Sequence, residues 1–336
     1  MATRREIIRA IERLEPSISA GFEASIYKIR SSVPIGRLVT AIQAGDLDTA
    51  RQLLNLSPAR FSEFIESNRG AFLVGGNFSA NQAPASLGFA FNVNSPRAAQ
   101  YLLEKSSSLL DLIINDQNQM IRQVLSEGID AGVNPRTMAL DLVGRIDRRT
   151  GRRTGGRLGL TANQARYVSS AKSELLSGDT GELRNYLTRQ ARDKRFDSMV
   201  LKAIADETPI PIPDAERIAN RYSDNLLKVR GETIARTEAM ESFHAGQDEA
   251  LQQAIEEGYA RPEDIVKVWS ASGDSRVRDG HRAMDGQTVG VNELFTDPVT
   301  GDRLRYPADS QASAASRVNC RCAMIQRVDW SRVDVV

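Results

Sequence analysis

The sequence predicts an α+β protein with a mostly helical N-terminal and middle body and a small α+β C-terminal domain of short strands and long polar loops. Three observations lead to this fold class. Apolar residues recur at helix-like spacings over much of the chain as far as Gly258. From about Val266 onward, β-branched and aromatic runs alternate with polar loops. The length of 336 residues is ample for two or three domains with at least one sizeable core.

These patterns divide the chain into three consecutive regions. Residues 1–100 form a helical but irregular N-terminal region that is suited to docking on a partner. Residues 101–230 form a helical body, which contains an Arg- and Gly-rich loop at 145–159. Residues 231–336 form the C-terminal domain, where the strands and the long polar loops lie.

The first region contains a helical hairpin followed by an irregular stretch. Leu38 and Leu53 lie in apolar patterns of helical spacing on either side of a break at Gly45. The stretch that follows from Phe72, FLVGGNFSANQAPASLGFAFNVNSPRAAQYLLE, mixes Gly, Asn, Ala and Phe without a helical period. We expect a loop with short strands there, exposed or in contact with a partner.

In the middle region, helix signals return between Ser95 and Gly128. A turn at Gly132–Pro135 separates this helix from another amphipathic one. Thr161 is expected to cap a further helix, because its hydroxyl can accept a hydrogen bond from a backbone N–H of the first turn.

The last part of the chain changes from helices to strands. Prolines between Pro209 and Pro213 end the preceding helix and form an extended lead-in. Asp214 then opens a helix, and a separate long helix follows Gly231. The segments 265–269 and 323–328 are rich in Val, Ile and aromatic or other apolar residues, which favours strands.

Bulk composition narrows the class of protein without defining an activity. The chain is 41% hydrophobic and 26% charged, which is typical of a folded soluble protein, and its net charge of +1 argues against binding of nucleic acid or membranes through overall charge. No run of about eighteen apolar residues occurs. The N-terminal MATRREIIRAIERLEP lacks the apolar core of a secretion signal. Two cysteines in so long a chain do not form a disulfide scaffold, which favours a reducing compartment.

Both cysteines lie close together in the segment NCRCAM. Cys320 and Cys322 are two positions apart, so an extended backbone places both thiols on one face, where they can bind one zinc ion. His281 supplies an imidazole, and an aspartate of its loop, Asp274, Asp279 or Asp285, completes the candidate ligand set. The CxC spacing differs from the usual zinc patterns, however. Two buried thiols beside a His281 that hydrogen-bonds a carboxylate therefore remain the alternative.

The segment around His281, SASGDSRVRDGHRAMDG, carries three Asp and three Arg. A histidine beside several carboxylates can activate water, with or without a metal. The same charges can instead pair with one another and hold a rigid loop, which is the outcome we expect. The residues of this charge-paired loop are Asp274, Arg276, Arg278, Asp279, Arg282 and Asp285. The sequence has no nucleotide-binding glycine loop, nucleophile elbow or HExxH motif.

A basic run lies in the loop 145–159, where Asp147 is the one local acidic residue. Its arginines are Arg145, Arg148, Arg149, Arg152, Arg153 and Arg157. Arginines beside flexible glycines suit contacts with the phosphates of DNA without reading of its bases. The alternative is a solvated or protein-facing surface, since no aromatic residues are interleaved for base stacking.

The order of motifs near the C-terminus resembles the phage Mu F-like head morphogenesis family, the minor head proteins of tailed phages. An Arg-Thr-Glu helix in IARTEAMESFHAG is followed by VWSASGDSRVRDGHRAMDGQTV, by a hairpin in LFTDPVTGDRLRYPAD and by RVNCRCAM. The dense match runs from about Ile234 to Ile325. The residues that match the family pattern are Arg236, Thr237, Glu238, Asp274, Arg276, Arg278, His281, Asp285, Gly286, Tyr306, Pro307, Cys320, Arg321 and Cys322. The family often has Asn where His244 stands, so we expect His244 on the helix surface and outside the ligand set.

The resemblance implies a structural protein that is not an enzyme. It implies association with the phage portal protein and with the major capsid or scaffold protein during procapsid assembly. It also implies a place in the virion, in the capsid interior near the portal vertex, after assembly in the host cytoplasm and without a membrane partner. Contact with packaged DNA and a role in DNA packaging or ejection follow from that location.

In this interpretation a network of side chains closes the C-terminal domain, and zinc is the candidate for a structural ion that would add to it. The network consists of Arg236, Glu238, Asp274, Arg276, Arg278, Asp279, Asp285, Tyr306 and Arg321. Two alternatives remain. A metal-dependent hydrolase or nuclease that uses His281 and nearby Asp requires an open coordination position and a cleft. A DNA-binding module that uses the run from Arg145 to Arg157 requires salt-sensitive binding.

Overall fold

The computed structural model describes residues 2–148 and 150–330, and helices predominate there. The α-helices of this part of the chain are α1 (Arg4–Glu12), α2 (Glu15–Ser32), α3 (Ile35–Gln43), α4 (Leu47–Leu53), α5 (Ser62–Ala80), α6 (Pro96–Asp130), α7 (Pro135–Val143), α8 (Ala162–Leu176), α9 (Thr180–Thr188), α10 (Asp197–Asp206), α11 (Ile212–Glu256), α12 (Asp279–Ala283) and α13 (Ala314–Arg317). Short 3-10 turns lie at Pro58–Phe61, Ala85–Leu87, Lys194–Phe196 and Pro262–Asp264. The strands are β1 (Arg145–Ile146), β2 (Arg153–Thr154), β3 (Ile265–Ser270), β4 (Thr288–Gly290), β5 (Phe295–Thr296), β6 (Arg303–Leu304) and β7 (Ala323–Val328). The predicted α+β class, mostly helical with short strands near the C-terminus, is confirmed.

The chain forms two compact units, each assembled from separate stretches of sequence. Unit 1 contains the described residues of 1–21, 63–106 and 232–336. Unit 2 contains those of 22–62 and 107–231. The C-terminal region therefore belongs to the same unit as two segments of the first 106 residues, an association that local sequence patterns do not encode.

The sheet of unit 1 has three antiparallel strands in the order β4-β3-β7. In the register of these strands, Val268 of β3 pairs with Thr288 of β4 and with Ile325 of β7. Trp269, the next residue of β3, is fully buried and packs edge-to-face on Phe295 at a centroid distance of 5.2 Å. The two strands predicted from the sequence are β3 and β7, and their existence is confirmed.

Helix α11 is continuous over 45 residues, whereas the sequence predicted two helices separated at Gly231. Pro213 lies in its first turn, where a missing backbone N–H breaks no helical hydrogen bond. A glycine inside a helix costs about 1 kcal/mol relative to alanine. It ends the helix only where the backbone turns to a left-handed φ, and Gly231 is buried without adopting one. The predicted break at Gly231 was therefore wrong.

The first nine residues of the glycine-rich stretch that was expected to form a loop with short strands, 72–80, lie in the helix α5, whereas 81–95 form a loop without strands. Its glycines permit a close contact with α11. A Cβ on Gly75 would lie 2.0 Å from the carbonyl oxygen of Phe243. A Cβ on Gly246 would lie 2.0 Å from the carbonyl oxygen of Phe72. The composition that hides the helical period in 72–80 therefore reflects two helices whose backbones approach each other. The loop prediction was wrong for 72–80 and is confirmed for 81–95, where no strand forms.

Unit 2 contains the predicted helical hairpin, formed by α3 and α4. Gly45 between them has a φ of +69°, and the Asp46 side chain caps α4 by accepting a hydrogen bond from the Thr49 N–H at 2.9 Å. Thr161 caps α8 in a reciprocal capping box with Gln164. Both sequence predictions are confirmed.

Arg30 fixes the glycine-rich loop that follows β2 in unit 2. Its side chain is fully buried and donates hydrogen bonds to the carbonyl oxygens of Gly155 at 2.6 Å and Leu158 at 3.1 Å. A third hydrogen bond reaches the carbonyl oxygen of Gly156 at 3.1 Å. Because these carbonyl groups accept hydrogen bonds from the Arg30 guanidinium, the loop has a structural role. A phosphate cradle would present backbone N–H groups instead.

None of the helices in the residues that the structure describes combines the length and the apolar character required to cross a membrane.

We expect Gly75→Ala to destabilise the protein by roughly 2 kcal/mol or more, because the added methyl group overlaps the backbone of α11. Gly70 is the matched control, since it lies in the same helix and an added Cβ there has no neighbour within 4 Å. Gly70→Ala is expected to stabilise by about 0.5–1 kcal/mol through helix propensity. Urea unfolding monitored by circular dichroism measures both. Equal effects of the two substitutions would contradict the close contact between α5 and α11.

Candidate metal centre

One imidazole and two thiols form a compact buried cluster in unit 1. The Nδ1 atom of His281 lies 3.6 Å from Sγ of Cys320 and 3.5 Å from Sγ of Cys322. All three ligand-type atoms lie within 4.8 Å of one another, and each residue is 1% exposed. The structure therefore brings together the three residues on which the sequence-based zinc hypothesis depended most.

The sheet fixes the position of each partner. His281 lies on α12, and the chain after this short helix returns to β3 through a backbone hydrogen bond from the Gly286 N–H to the Trp269 carbonyl at 2.9 Å. The Trp269 ring then packs edge-to-face on His281, with centroids 5.3 Å apart. On the opposite side of β3, the pairing of Ser270 with Ala323 places Cys322 beside the same strand end.

The Arg-Thr-Glu triplet of α11 holds the turn that precedes Cys320. The Thr237 hydroxyl accepts a hydrogen bond from the Asn319 N–H at 3.1 Å, and Arg236 donates to the Asn319 side-chain oxygen at 3.1 Å. Arg317 donates to Glu238 at 3.2 Å. Asn319 has a φ of 57°, a left-handed conformation that Asn tolerates better than most residues. Each residue of the triplet thus fixes the chain that leads into the two cysteines.

A buried charge cluster, formed by Lys105, Glu238, Glu241 and Arg317, supports this turn. The Lys105 ammonium lies 2.8 Å from Glu238 and 2.5 Å from Glu241. Arg317 completes the cluster at 3.2 Å from Glu238 and 3.6 Å from Glu241. Burial raises the pKa of Glu241, while the two cationic side chains oppose this effect. Two positive and two negative charges balance, which is the condition under which buried charges are tolerated.

Asp297 is a residue of this site that sequence reasoning missed. Its Oδ2 atom faces Nε2 of His281 at 3.9 Å, on the side of the ring away from the thiols. Its Oδ1 atom accepts a backbone hydrogen bond from Val299 at 2.8 Å in the β5–β6 hairpin. A Cβ on Gly280 would lie 2.0 Å from Oδ1, so glycine at that position lets the carboxylate approach α12. The Asp-Pro-x-x-Gly hairpin signal was visible in LFTDPVTGDRL, but not its proximity to His281.

Asp274 and Asp285, which were proposed as further ligands, lie outside the Cys/His cluster. Asp274 accepts a hydrogen bond from the Arg276 N–H at 2.8 Å, a contact that lowers the pKa of Asp274. Asp285 accepts one from the Ala271 N–H at 2.8 Å. Both are exposed, and among the residues that the structure describes the cluster of ligand atoms contains no carboxylate. The prediction that they complete the ligand set was therefore wrong, because the carboxylate of each accepts a hydrogen bond from a backbone N–H.

The loop around His281 is held by backbone contacts more than by the predicted charge pairs. Within residues 270–286, all of which the structure describes, the one ion pair joins Arg282 to Asp279 at 3.3 Å, and both side chains are exposed. Arg278 donates to the backbone carbonyl of Val318 instead. The prediction of a charge-paired loop was therefore wrong. An exposed ion pair of this kind contributes little to the free energy of unfolding.

A cavity of about 320 Å³ opens beside the Cys/His cluster. Four arginines line it, with Asp274 as the acidic residue of the lining: Arg236, Arg276, Arg278 and Arg321. His281 and Cys322 contribute to the same wall. The cluster thus lies next to an electropositive opening, although its own residues are buried.

Arg321 and Tyr306, two further residues of the predicted network, have different roles. The Arg321 carbonyl accepts a hydrogen bond from Arg4 of α1 at 3.1 Å, which ties the N-terminal helix to the cysteine segment. Tyr306 is buried under the guanidinium of Arg305, 5.0 Å from the ring centroid, and burial raises its pKa well above the usual value. Tyr306 therefore belongs to the core of the unit.

His244 was expected on the helix surface, and this expectation was wrong. Its side chain is fully buried in α11, and its Nδ1 atom lies 2.7 Å from the side-chain oxygen of Gln247. Burial lowers the pKa of His244 to about 4, so the ring is neutral at physiological pH. Among the described residues, the Cys/His cluster does not include His244, as expected from the sequence.

The two thiols do not ionise alike. A hydrogen bond from the Cys322 thiol lowers the pKa of Cys320 well below its usual value, and His281 adds to this effect against the opposing influence of burial. The same contact and burial raise the pKa of Cys322. Ionisation of Cys320 generates the thiolate form that metals bind.

Half of the basic run in unit 2 is engaged within the protein. Arg145 pairs with Asp141 at 2.8 Å and with Glu216 at 3.2 Å. Arg157 lies 3.9 Å from Asp141, and Arg153 donates to the Gly144 carbonyl at 2.8 Å. Asp147 was the one acidic residue expected to oppose this run, but Asp141, four residues before Arg145, and Glu216, distant in sequence, also pair with it.

Two arginines of that run, Arg148 and Arg152, are exposed around the turn between β1 and β2. The predicted contact residue Arg149 lies outside the described residues. The surface available for phosphate contacts is therefore smaller than the sequence indicated.

The fold and the cluster define a helical protein whose terminal sheet carries a Cys/His centre next to a basic cavity. Residues 213–325 match the family described as phage Mu protein F like protein, so the resemblance carried by the motifs is confirmed over that segment.

Three curated proteins share part of this sequence. The chain is 34% identical over 115 residues to minor head protein GP7 of Bacillus phage SPP1, a match that covers 34% of this chain and 34% of that protein. It is 32% identical over 102 residues to the uncharacterized protein YqbB of Bacillus subtilis (strain 168), covering 30% and 31% of the two chains. It is 36% identical over 96 residues to the NAD(+)--arginine ADP-ribosyltransferase EFV of Enterococcus faecalis (strain ATCC 700802 / V583), covering 29% of this chain and 18% of that protein. The chain thus spans 34% or less of the length of each relative. No solved structure matches significantly.

We expect Lys105→Met to destabilise the protein by about 3–5 kcal/mol, because it leaves two carboxylates against one cation in a buried cluster. Since burial already raises the pKa of Glu241, loss of the Lys105 charge raises it further. The loss in free energy of unfolding is therefore largest at neutral pH. It becomes smaller as the pH falls and the Glu241 carboxyl group takes up a proton. Urea unfolding at several pH values measures this dependence.

The double variant Lys105→Met/Glu241→Gln is the matched control for this substitution. It restores one negative and one positive charge in the cluster and should recover part of the lost stability at neutral pH. A double variant as unstable as the sum of the two single variants would show that Lys105 acts through packing and not through its charge.

Proposed function

We propose that this chain is a minor head protein of a tailed phage and acts in head morphogenesis. The observation that carries the proposal is the match of residues 213–325 to the phage Mu protein F like family. The 34% identity to a minor head protein over 115 residues supports it. So does the geometry, because the motif residues of that segment form one connected arrangement from Thr237 through Asn319 to the Cys/His cluster.

We further propose an association with the portal protein and with the major capsid or scaffold protein during procapsid assembly. In this proposal the chain assembles in the host cytoplasm without a membrane partner and ends in the capsid interior near the portal vertex. There it contacts packaged DNA and affects DNA packaging or ejection. The similarity to a minor head protein supports a place in the phage head.

We propose that this function is structural and not enzymatic. A hydrolytic metal site needs a general base beside the water that it activates. Asp297 faces His281 from the side of the ring away from the thiols, and Asp274 is engaged with a backbone N–H. The metal-dependent hydrolase is the rival that the cavity beside the cluster favours. Turnover of a phosphodiester by the zinc-loaded protein that is lost in Asp274→Asn would establish that rival.

In particles of the phage that encodes this chain, we expect the protein to fractionate with heads and to be absent from free tails. Co-expressed with an affinity-tagged portal protein of the same phage, it should copurify with the portal. A tagged tail-tube protein of that phage is the matched bait control. Absence from heads would contradict the head function, whereas presence in heads without portal copurification would contradict the portal association alone.

A second prediction concerns DNA contact through the exposed arginines of unit 2. Arg148→Ser/Arg152→Ser should weaken duplex binding and reduce the slope of log K against log salt by about 1–2, since each phosphate contact contributes about 0.9. Arg166→Ser/Arg184→Ser removes the same charge from two other exposed positions of unit 2 and is the control. Titrations by fluorescence anisotropy at several salt concentrations measure the slope. Equal slopes for both double variants would contradict a specific role of Arg148 and Arg152.

A further inference from the structure

We infer that His281, Cys320 and Cys322 form a binding site for a soft divalent cation of the zinc class. The inference rests on the geometry and chemistry of these three side chains and not on the proposed head function. It holds or fails independently of whether the protein assembles into heads.

The distances between the ligand atoms fit a common ion. Typical zinc–nitrogen and zinc–sulfur bonds of about 2.0–2.1 Å and 2.3 Å at a tetrahedral angle place the two ligand atoms about 3.6 Å apart. The observed distances from His281 Nδ1 are 3.6 Å to Cys320 Sγ and 3.5 Å to Cys322 Sγ. The nitrogen–sulfur distances in the cluster therefore match those of a tetrahedral zinc site without any adjustment of the side chains.

Hydrogen bonding accounts for the cluster less well. Nδ1 of a neutral imidazole takes part in one hydrogen bond, so it pairs with one of the two sulfur atoms and leaves the other with the thiol–thiol hydrogen bond. Both sulfur atoms are nevertheless at nearly the same distance from this nitrogen, and both residues are buried. One cation bound by all three atoms satisfies each of them.

The second nitrogen of His281 provides an independent indication. Nε2 is buried, and no described atom hydrogen-bonds to it. The Asp297 carboxylate faces it at 3.9 Å, which is longer than a hydrogen bond. Metal-binding histidines commonly direct their other N–H to a carboxylate, which fixes the tautomer and leaves the first nitrogen free to bind the ion. Asp297 is therefore assigned as a positioning residue for Nδ1 coordination.

The ligand chemistry selects the class of cation. Two thiolates and an imidazole suit zinc and related soft or borderline metals, whereas magnesium and calcium require oxygen ligands. Three protein ligands leave one position of a tetrahedral site. Cys322 and His281 line the cavity of about 320 Å³, and its arginines favour water or an anion as the fourth ligand.

The test uses the full-length protein and the probes Zn(II) and Co(II). Purified protein should contain close to one equivalent of zinc by mass spectrometry after desalting. Replacement by Co(II) should produce the intense near-ultraviolet band of thiolate-to-cobalt charge transfer and the visible bands of tetrahedral cobalt. Wild-type protein that binds neither ion, or that binds cobalt without the thiolate band, would overturn the inference.

Variants then assign the ligands. Cys320→Ser, Cys322→Ser and His281→Gln should each lose stoichiometric zinc and change the cobalt spectrum. Asp274→Asn and Asp285→Asn are matched controls from the same loop and should keep both. Loss of the cobalt band in either control would contradict the proposed ligand set. The wild-type spectrum keeps the test decisive if a ligand variant fails to fold.

Asp297→Asn separates the positioning role from coordination. We expect it to retain the thiolate band while zinc affinity, measured by competition with a chelating dye, falls by about 10–100-fold. An unchanged affinity would remove Asp297 from the site, and loss of the band would make it a ligand.

Discussion

The buried charge cluster of Lys105, Glu238, Glu241 and Arg317 is the interaction on which the arrangement of unit 1 depends. It joins residues of α6, α11 and α13, which come from three separate parts of the chain. Buried charges are costly to desolvate, so such a cluster stabilises a fold only when every member is present and paired. The requirement fixes the end of α13 relative to α11. Since the chain continues from α13 to Cys320 within three residues, the same requirement fixes the first thiol of the Cys/His cluster.

This dependence explains the Arg-Thr-Glu triplet in physical terms. The triplet looks like a motif for chemistry, because it combines a cation, a hydroxyl group and a carboxylate on one helix. In the structure Thr237 accepts the Asn319 N–H, and Arg236 binds the Asn319 side chain. Glu238 pairs with the charges on either side. The triplet therefore acts as a docking site for a turn, and its influence on the Cys/His cluster is exerted through backbone position.

The parts of the site that the sequence predicted correctly depend on local geometry. Cys320 and Cys322 lie two positions apart, so their common orientation follows from an extended backbone, and His281 supplied the imidazole of the candidate site. The prediction of Asp274 and Asp285 as ligands was wrong, because each is exposed and accepts a hydrogen bond from a backbone N–H, of Arg276 and Ala271 respectively. Asp297 approaches His281 through a hairpin whose packing no spacing rule gives. Likewise, the acids that pair with Arg145 include Glu216, 71 positions away in the sequence.

The fold was predicted to a similar extent and missed for related reasons. Amphipathic helices, caps such as Thr161, and the strands β3 and β7 follow from periodicity and local hydrogen bonding. Glycine led to two wrong predictions, a loop at 72–80 and a helix break at Gly231. At Gly75 it allows a helix–helix contact closer than any side chain permits, and at Gly231 it lies within a continuous helix. Whether glycine breaks a helix or tightens its packing depends on the partner surface, which a single sequence does not contain.

The Cys/His cluster has a further consequence for the stability of its surroundings. Helix α12 has five residues, and an isolated helix of that length is not stable in water. Its position depends on the contact of His281 with Trp269, on the approach of Asp297 to Gly280 and on the two thiols. A cation held by His281 and both cysteines would join α12 to the start of β7, so its binding free energy would contribute directly to folding of the loop. The arginines of that loop line the cavity, and their arrangement would then depend on the same ion. Metal binding and the shape of the basic cavity are thus expected to be one coupled equilibrium.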